Sequence, residues 1–308
     1  MKTAILVYGP DFASSETLVP AFNLLGESRL ISFAPSDWRD YDNGLLLDGP
    51  AAITEAQAWA AAADLIVLGD SMAAYTLGVV SPDLNWIHWA RGKQTIAFFG
   101  DSIYHKHPAF FDGIVADINA RLFLLPNLMP RSRLAPIPLH HPQPVFETTK
   151  EKELTIIHAP GRELKAQQKG TKEIEAVISE LQETHDNFNY ERIMMQPLAE
   201  CLKRKGAAHI VIDQMPPNGA VYGLGRTGTE SLASGSVVFS KMYDAELVWN
   251  HFPPPPVINI QSAGELRDKL EFYIQRPELI RDRGSESLQW AAECLDYQKW
   301  IEYVMRHL

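Results

Sequence analysis

Residues 209–240 read HIVIDQMPPNGAVYGLGRTGTESLASGSVVFS. Residues 209–212 suit a buried strand, and the loop behind them holds Gly219, Gly223, Gly225 and Gly228. Residues 230–234 suit a short helix that Gly235 ends, and 236–240 form another apolar run. A strand that leads through a loop into a helix and on to a further strand is the repeating unit of a parallel α/β sheet. The glycines add chemistry: after a strand and before a helix, they let backbone amides approach a bulky anion at a helix N-terminus, and a diphosphate fits. They serve equally well in a tight loop packed under a helix. The spacing is not G-x-G-x-x-G and this is not the first strand-to-helix turn of its domain, so a dinucleotide fingerprint is not supported.

The same rhythm extends in both directions. Upstream, residues 155–158 predict a strand, 159–170 a loop, and 172 onward a helix with Ile174, Val177, Ile178 and Leu181 on one stripe. A second helix over 197–205 ends at Gly206. Downstream, Pro253 to Pro256 form an extended connector into a strand at 257–260. Ser262 and Glu265 then make a capping box for a helix with Leu266, Leu270 and Ile274 on one side. Residues 287–308, with Trp290, Leu295, Trp300, Ile301 and Val304, predict one long amphipathic helix in need of a surface to cover. In the first half, 3–8, 29–33, 64–68 and 95–99 are short apolar runs of the buried-strand type, and 51–63 is an alanine-rich helix. A serine cap followed by proline opens another helix at Ser81.

Prolines 136, 138, 142 and 144 and a charged stretch at 150–153 interrupt the rhythm. Domains of 1–140 and 154–285 follow, with a linker over 141–153 and a terminal helix over 286–308 that crosses back to the first domain. Two domains suit a length of 308 residues. The net charge of −10 is shared evenly between the two halves, so no basic arm for nucleic acid or anionic lipid is present. Cys201 and Cys294 lack any ligand-like spacing and read as two buried thiols of a reducing compartment. The apolar run behind Met1 is too short for a signal peptide or a membrane span, which places the protein in the cytoplasm.

A second pointer to an anion is the loop His158-Ala159-Pro160-Gly161-Arg162, followed by Lys165 and Lys169-Gly170-Thr171. Cations near a neighbouring strand end would neutralise phosphate oxygens; a solvated basic loop would read the same way. Lys203-Arg204-Lys205 ends a helix and reads as a solvated face. Trp86 and Trp89, flanking His88, read as core or as the wall of an acceptor groove.

Taken together, HAPGR…KGT…GAVYGLGRTGTESLASGSVVFS and the closing PPPPVINIQSAGELRDKLEFYIQRPEL resemble the nucleotide-sugar half of GT-B-fold glycosyltransferases with a C-terminal glycosyl transferases group 1 domain. The resemblance covers most of residues 154–308, while the first half shares only the strand-helix rhythm. It implies an α/β protein of the GT-B fold, with two Rossmann-like α/β/α domains facing across a cleft and the terminal helix crossing back. The implied activity is that of a hexosyltransferase moving a sugar from a nucleotide diphosphate sugar, of UDP type, to a hydroxyl acceptor on a glycan, a lipid-linked carrier or a modified nucleobase. A phage-type DNA glycosyltransferase and a non-catalytic nucleotide-sugar-binding module are the alternatives. Arg162 and Lys169 would hold the donor pyrophosphate and Glu230 the ribose hydroxyls; Tyr222, Gly223, Gly225, Thr227, Gly228 and Thr229 complete the implied donor site. Retaining members carry a second glutamate about two helical turns before Glu230. Here that position is Tyr222. The nucleotide sugar is a co-substrate, and neither a cofactor nor a metal is required.

Two strands of the first half end alike, in Gly69-Asp70-Ser71 and Gly100-Asp101-Ser102. Either aspartate would serve as the general base for an acceptor hydroxyl, or would cap the following turn. Asp101 is preferred because polar and aromatic residues 104–107 follow it; His105 is the reserve. His105 and His107 alternate as metal ligands would, but no third ligand accompanies them.

Overall fold

The computed structural model describes residues 1–8, 13–34, 44–70, 89–99, 107–124, 150–161, 163–215, 224–242 and 253–308. The chain divides into two compact units: Met1–His140 with Tyr297–Leu308, and His141–Asp296.

The first unit is built on strands β1 (Lys2–Val7), β2 (Glu27–Ser32), β3 (Gly44–Leu46), β4 (Leu65–Leu68), β5 (Gln94–Phe99) and β6 (Arg121–Leu124). They form one parallel sheet in the order β3-β2-β1-β4-β5-β6. Because side chains alternate along a strand, each central apolar run supplies both faces. Ala4, Leu6, Ile66, Leu68, Ala97 and Phe99 face one core, which Ala56 and Ala60 of α2 (Pro50–Ala62) and Phe111 of α3 (Pro108–Asp117) close. Ile5, Val7, Leu65, Val67, Ile96 and Phe98 face the other, under Leu18 and Phe22 of α1 (Ala13–Asn23).

The second unit contains β7 (Leu154–Gly161), β8 (Phe188–Met194), β9 (Ile210–Gln214), β10 (Val237–Ser240) and β11 (Ile258–Asn259). This sheet is also parallel, in the order β11-β10-β9-β7-β8. Its helices are α4 (Glu163–Gln168), α5 (Thr171–Gln182), α6 (Leu198–Ala207), α7 (Arg226–Ala233), α8 (Ala263–Gln275) and α9 (Glu278–Cys294). The stripe Ile174, Val177, Ile178 and Leu181 of α5 packs on the same face as Leu266, Leu270 and Ile274 of α8, over Ile156, Ile210, Ile212 and Phe239. Ser262 caps α8 through the Glu265 amide at 3.2 Å. On the other side Gly284 of α9 lies so close to the Gly235 carbonyl that a Cβ would stand 2.4 Å from its oxygen. Lys150 donates to the Gly206 and Ser234 carbonyls and to Ser236 Oγ, tying the start of this unit to the ends of α6 and α7. Burial lowers its pKa to about 8.

The structure departs from the sequence reading at several element boundaries. Residues 159–170 are not all loop, because β7 runs on to Gly161 and α4 follows. Gly206 does not stop α6, which continues to Ala207. The second half of the glycine loop is already helical from Arg226. The tail is two helices, α9 and α10 (Tyr297–Met305), with the break at Leu295 and Asp296. Only α10 belongs to the first unit, where Trp300, Ile301 and Val304 join the core of Phe22 and Phe98. Trp300 stacks on Phe98 at 5.6 Å and meets Phe22 edge-on at 6.1 Å. Burying side chains such as Ile301 and Val304 contributes about 1.5–3 kcal/mol each. Among the described residues no helix is long and apolar enough to cross a membrane.

Candidate functional site

In open parallel sheets ligands collect outside the carboxyl ends of the strands, where the strand order reverses. In the first unit the reversal falls between β1 and β4, and in the second between β7 and β9.

At the second reversal β7 ends in Ala159 and Gly161, the latter left-handed at φ 85°, and Asp213 is the last residue but one of β9. His158 joins the two strands. Its Nδ1 lies 2.8 Å from the Ile212 carbonyl oxygen and its Nε2 2.8 Å from Thr171 Oγ1. A carbonyl only accepts, so Nδ1 carries the proton and Nε2 accepts from the threonine hydroxyl. Burial lowers the His158 pKa to about 4, against the Ile212 hydrogen bond that raises it. The turn into α5 is thereby anchored: Gly170 is left-handed at φ 71°, and the Met215 amide donates to the Lys169 carbonyl at 2.8 Å.

That turn carries Lys169 to the end of β9. Its Nζ lies 2.9 Å from Asp213 Oδ1 and 3.4 Å from Thr227 Oγ1. The Thr227 hydroxyl donates to the Ala159 carbonyl at 3.1 Å, which leaves it an acceptor for the ammonium. Asp213 Oδ2 accepts from the Gly225 amide at 2.7 Å, at the start of α7. The Lys169 side chain is 18% exposed and that of Asp213 fully buried. A Cβ on Gly225 would stand 2.8 Å from Asp213 Oδ2, and one on Gly228 would stand 3.1 Å from it. The glycines thus do admit an anion to a helix start, and the anion occupying it is the carboxylate of the chain's own Asp213.

Thr229 Oγ1 donates to the Arg226 carbonyl at 2.9 Å, within the first turn of α7. Glu230 follows on the same helix, its side chain only 3% exposed. Arg226 Nε donates to its Oε1 at 2.5 Å and Lys205 Nζ to its Oε2. Burial works to raise the Glu230 pKa, but attraction to Lys205 and Arg226 and their hydrogen bonds bring it to about 2. The solvated reading of 203–205 therefore fails at Lys205, which is 3% exposed, while Lys203 is exposed. Lys205 is the counter-charge that the buried Glu230 requires.

In the first unit, Asp70 is 1% exposed and accepts the Tyr8 amide at 2.8 Å, just past the end of β1. A Cβ on Gly69 would stand 2.6 Å from Val7 Cγ1, so the chain passes β1 on its way to Asp70 through a residue without a side chain. Trp89 packs against the core beside α3. His107 precedes α3 and is exposed, and among the described residues no three potential ligands gather as a metal site. Asp101, His105, Arg162, Tyr222 and Gly223 lie outside the described residues, as do Trp86 and His88. The sequence reading passed over His158 and Asp213. For Asp213 a signal existed, since it stands at the carboxyl end of its apolar run as Asp70 and Asp101 follow theirs.

No family model and no curated protein matches the chain. Among solved structures, HepE of Anabaena in complex with UDP-glucose is similar at a TM-score of 0.67, with 11% identity over 100% of both chains. Sucrose-phosphate synthase of Thermosynechococcus elongatus is similar at 0.59, with 11% identity over 99% of this chain and 97% of that one. UDP-GlcNAc 2-epimerase of Neisseria meningitidis bound to UDP-GlcNAc is similar at 0.57, with 10% identity over 99% and 100%. The fold is GT-B.

Proposed function

We propose that the protein is a cytoplasmic glycosyltransferase that moves a hexose from a UDP-type nucleotide sugar to a hydroxyl acceptor. The observation that carries this reading is the Lys169 ammonium, held at the strand-order reversal of the second unit beside the start of α7. HepE, of similar fold over its whole length, binds UDP-glucose, which supports the same donor class here. In the transfer the acceptor oxygen forms a bond to the anomeric carbon as the bond to the β-phosphate oxygen breaks, and the electron pair stays on the departing diphosphate. Lys169 and Arg162 stabilise that charge, so no metal is needed. Asp101 takes the acceptor proton.

The experiment is a thermal-stability panel of nucleotide sugars, since a donor that binds only the folded state adds about 2.7 kcal/mol at a hundred times its Kd. UDP-glucose or a relative should raise the melting temperature. Lys169→Ala should weaken that binding by calorimetry and Lys203→Ala should not. Asp101→Asn should keep donor affinity and lower turnover by about 10²–10⁴-fold. A panel without any stabilising nucleotide sugar would overturn the reading.

A further inference from the structure

The diphosphate subsite of this reading already contains an anion. The Asp213 carboxylate accepts one hydrogen bond from the Lys169 ammonium and one from the Gly225 amide, two donors that a phosphate would otherwise use. It cannot swing aside cheaply: its side chain is fully buried near the end of a central strand, with Gly225 and Gly228 packed against it. Lys169 keeps partial exposure, so a ligand reaches the ammonium from the open side and meets a lysine whose charge is largely balanced.

We propose that Asp213 is a positioning residue that favours product release: it fixes Lys169 while denying the subsite the surplus positive charge that would hold the product. In a nucleotide sugar the β-phosphate is esterified by the sugar and keeps a single ionisable oxygen, and transfer leaves a nucleoside diphosphate with one more. That extra negative charge is the part of the ligand on which a resident carboxylate acts most strongly, because like charges a few ångströms apart in a partly buried site repel far more than in water. The donor, with less charge at that end, is disfavoured less. This inference rests on the glycosyltransferase reading and adds to it the discrimination between donor and product.

The test is calorimetric titration of UDP and of UDP-glucose into the full-length protein and into Asp213→Asn and Asp213→Ser. Both replacements keep an acceptor for the Gly225 amide and remove the charge, and two variants guard against one that does not fold. UDP affinity should rise about tenfold or more and UDP-glucose affinity clearly less, with UDP becoming a stronger inhibitor of turnover. Parallel losses for both ligands, an unchanged ratio or equal gains would overturn the inference and leave the donor site standing. Wild-type protein that binds neither ligand would remove the glycosyltransferase reading, and this inference with it.

Discussion

Lowering the pH from 7.5 to 5 should destabilise the protein through one imidazole. His158 is held neutral by burial, its Nδ1–H committed to the Ile212 carbonyl and its Nε2 to the Thr171 hydroxyl, with Lys169 further opposing a positive charge and Asp213 favouring one. Its pKa falls from 6.5 to about 4 on folding. Over the window between those values the unfolded chain takes up a proton that the folded chain refuses. The contribution is therefore complete above pH 6.5 and is lost as the pH falls toward 4. Integrating the linkage gives a loss of about 2 kcal/mol by pH 5 and roughly 3.4 kcal/mol below pH 4. His158→Gln keeps a donor and an acceptor but does not titrate. Urea unfolding of both proteins at pH 7.5, 6 and 5 should show their stability gap shrinking by about 2 kcal/mol. His209, whose pKa burial also lowers, is present in both and cancels. A gap that stays constant with pH would refute the argument, since it would mean that His158 protonates equally in the folded and unfolded states.

Other substitutions probe the packing around the site. Glu230→Gln leaves Lys205 and Arg226 without their counter-charge, and denaturant unfolding should record a loss of about 3–5 kcal/mol. If Glu230 also meets the ribose, Glu230→Ala will weaken UDP binding more than pyrophosphate binding, and equal losses assign it to the ion cluster alone. Gly284→Ala places a methyl 2.4 Å from the Gly235 oxygen and should cost about 1–3 kcal/mol, read as a lower melting temperature.

What could be read from the sequence follows from how many neighbours each element has. β1, β4 and β5 are covered on both faces and are continuous apolar runs, so they are recognisable without context. β8 is not: as an edge strand with the sequence FNYERIM it shows Asn189, Glu191 and Arg192 to its surroundings, with Arg192 paired to Glu175 at 3.2 Å. The three-residue β3 was equally invisible. The tail reads as one helix because the break at Leu295 and Asp296 contains neither glycine nor proline, and each half keeps its own apolar stripe. Lys205 was misread for another reason. Nothing near it announces burial, and its partner Glu230 follows 25 residues later, at the far end of the glycine-rich loop. The glycines announced an anion at a helix start, but glycine spacing carries no information on whether that anion comes from outside or from the preceding strand.

The first unit takes its last core residues from the far end of the chain, and this sets the order in which a nascent chain acquires structure. As residues 141–296 emerge from a ribosome, which takes on the order of 8–30 s, the face formed by Ile5, Val67, Ile96 and Phe98 has α1 over it but waits for the rest of its cover, α10. The second unit is contiguous in sequence and can close upon itself during that interval. Translation thus completes the later unit before the earlier one, and the exposed face is the natural place for a chaperone to dwell until Trp300, Ile301 and Val304 arrive.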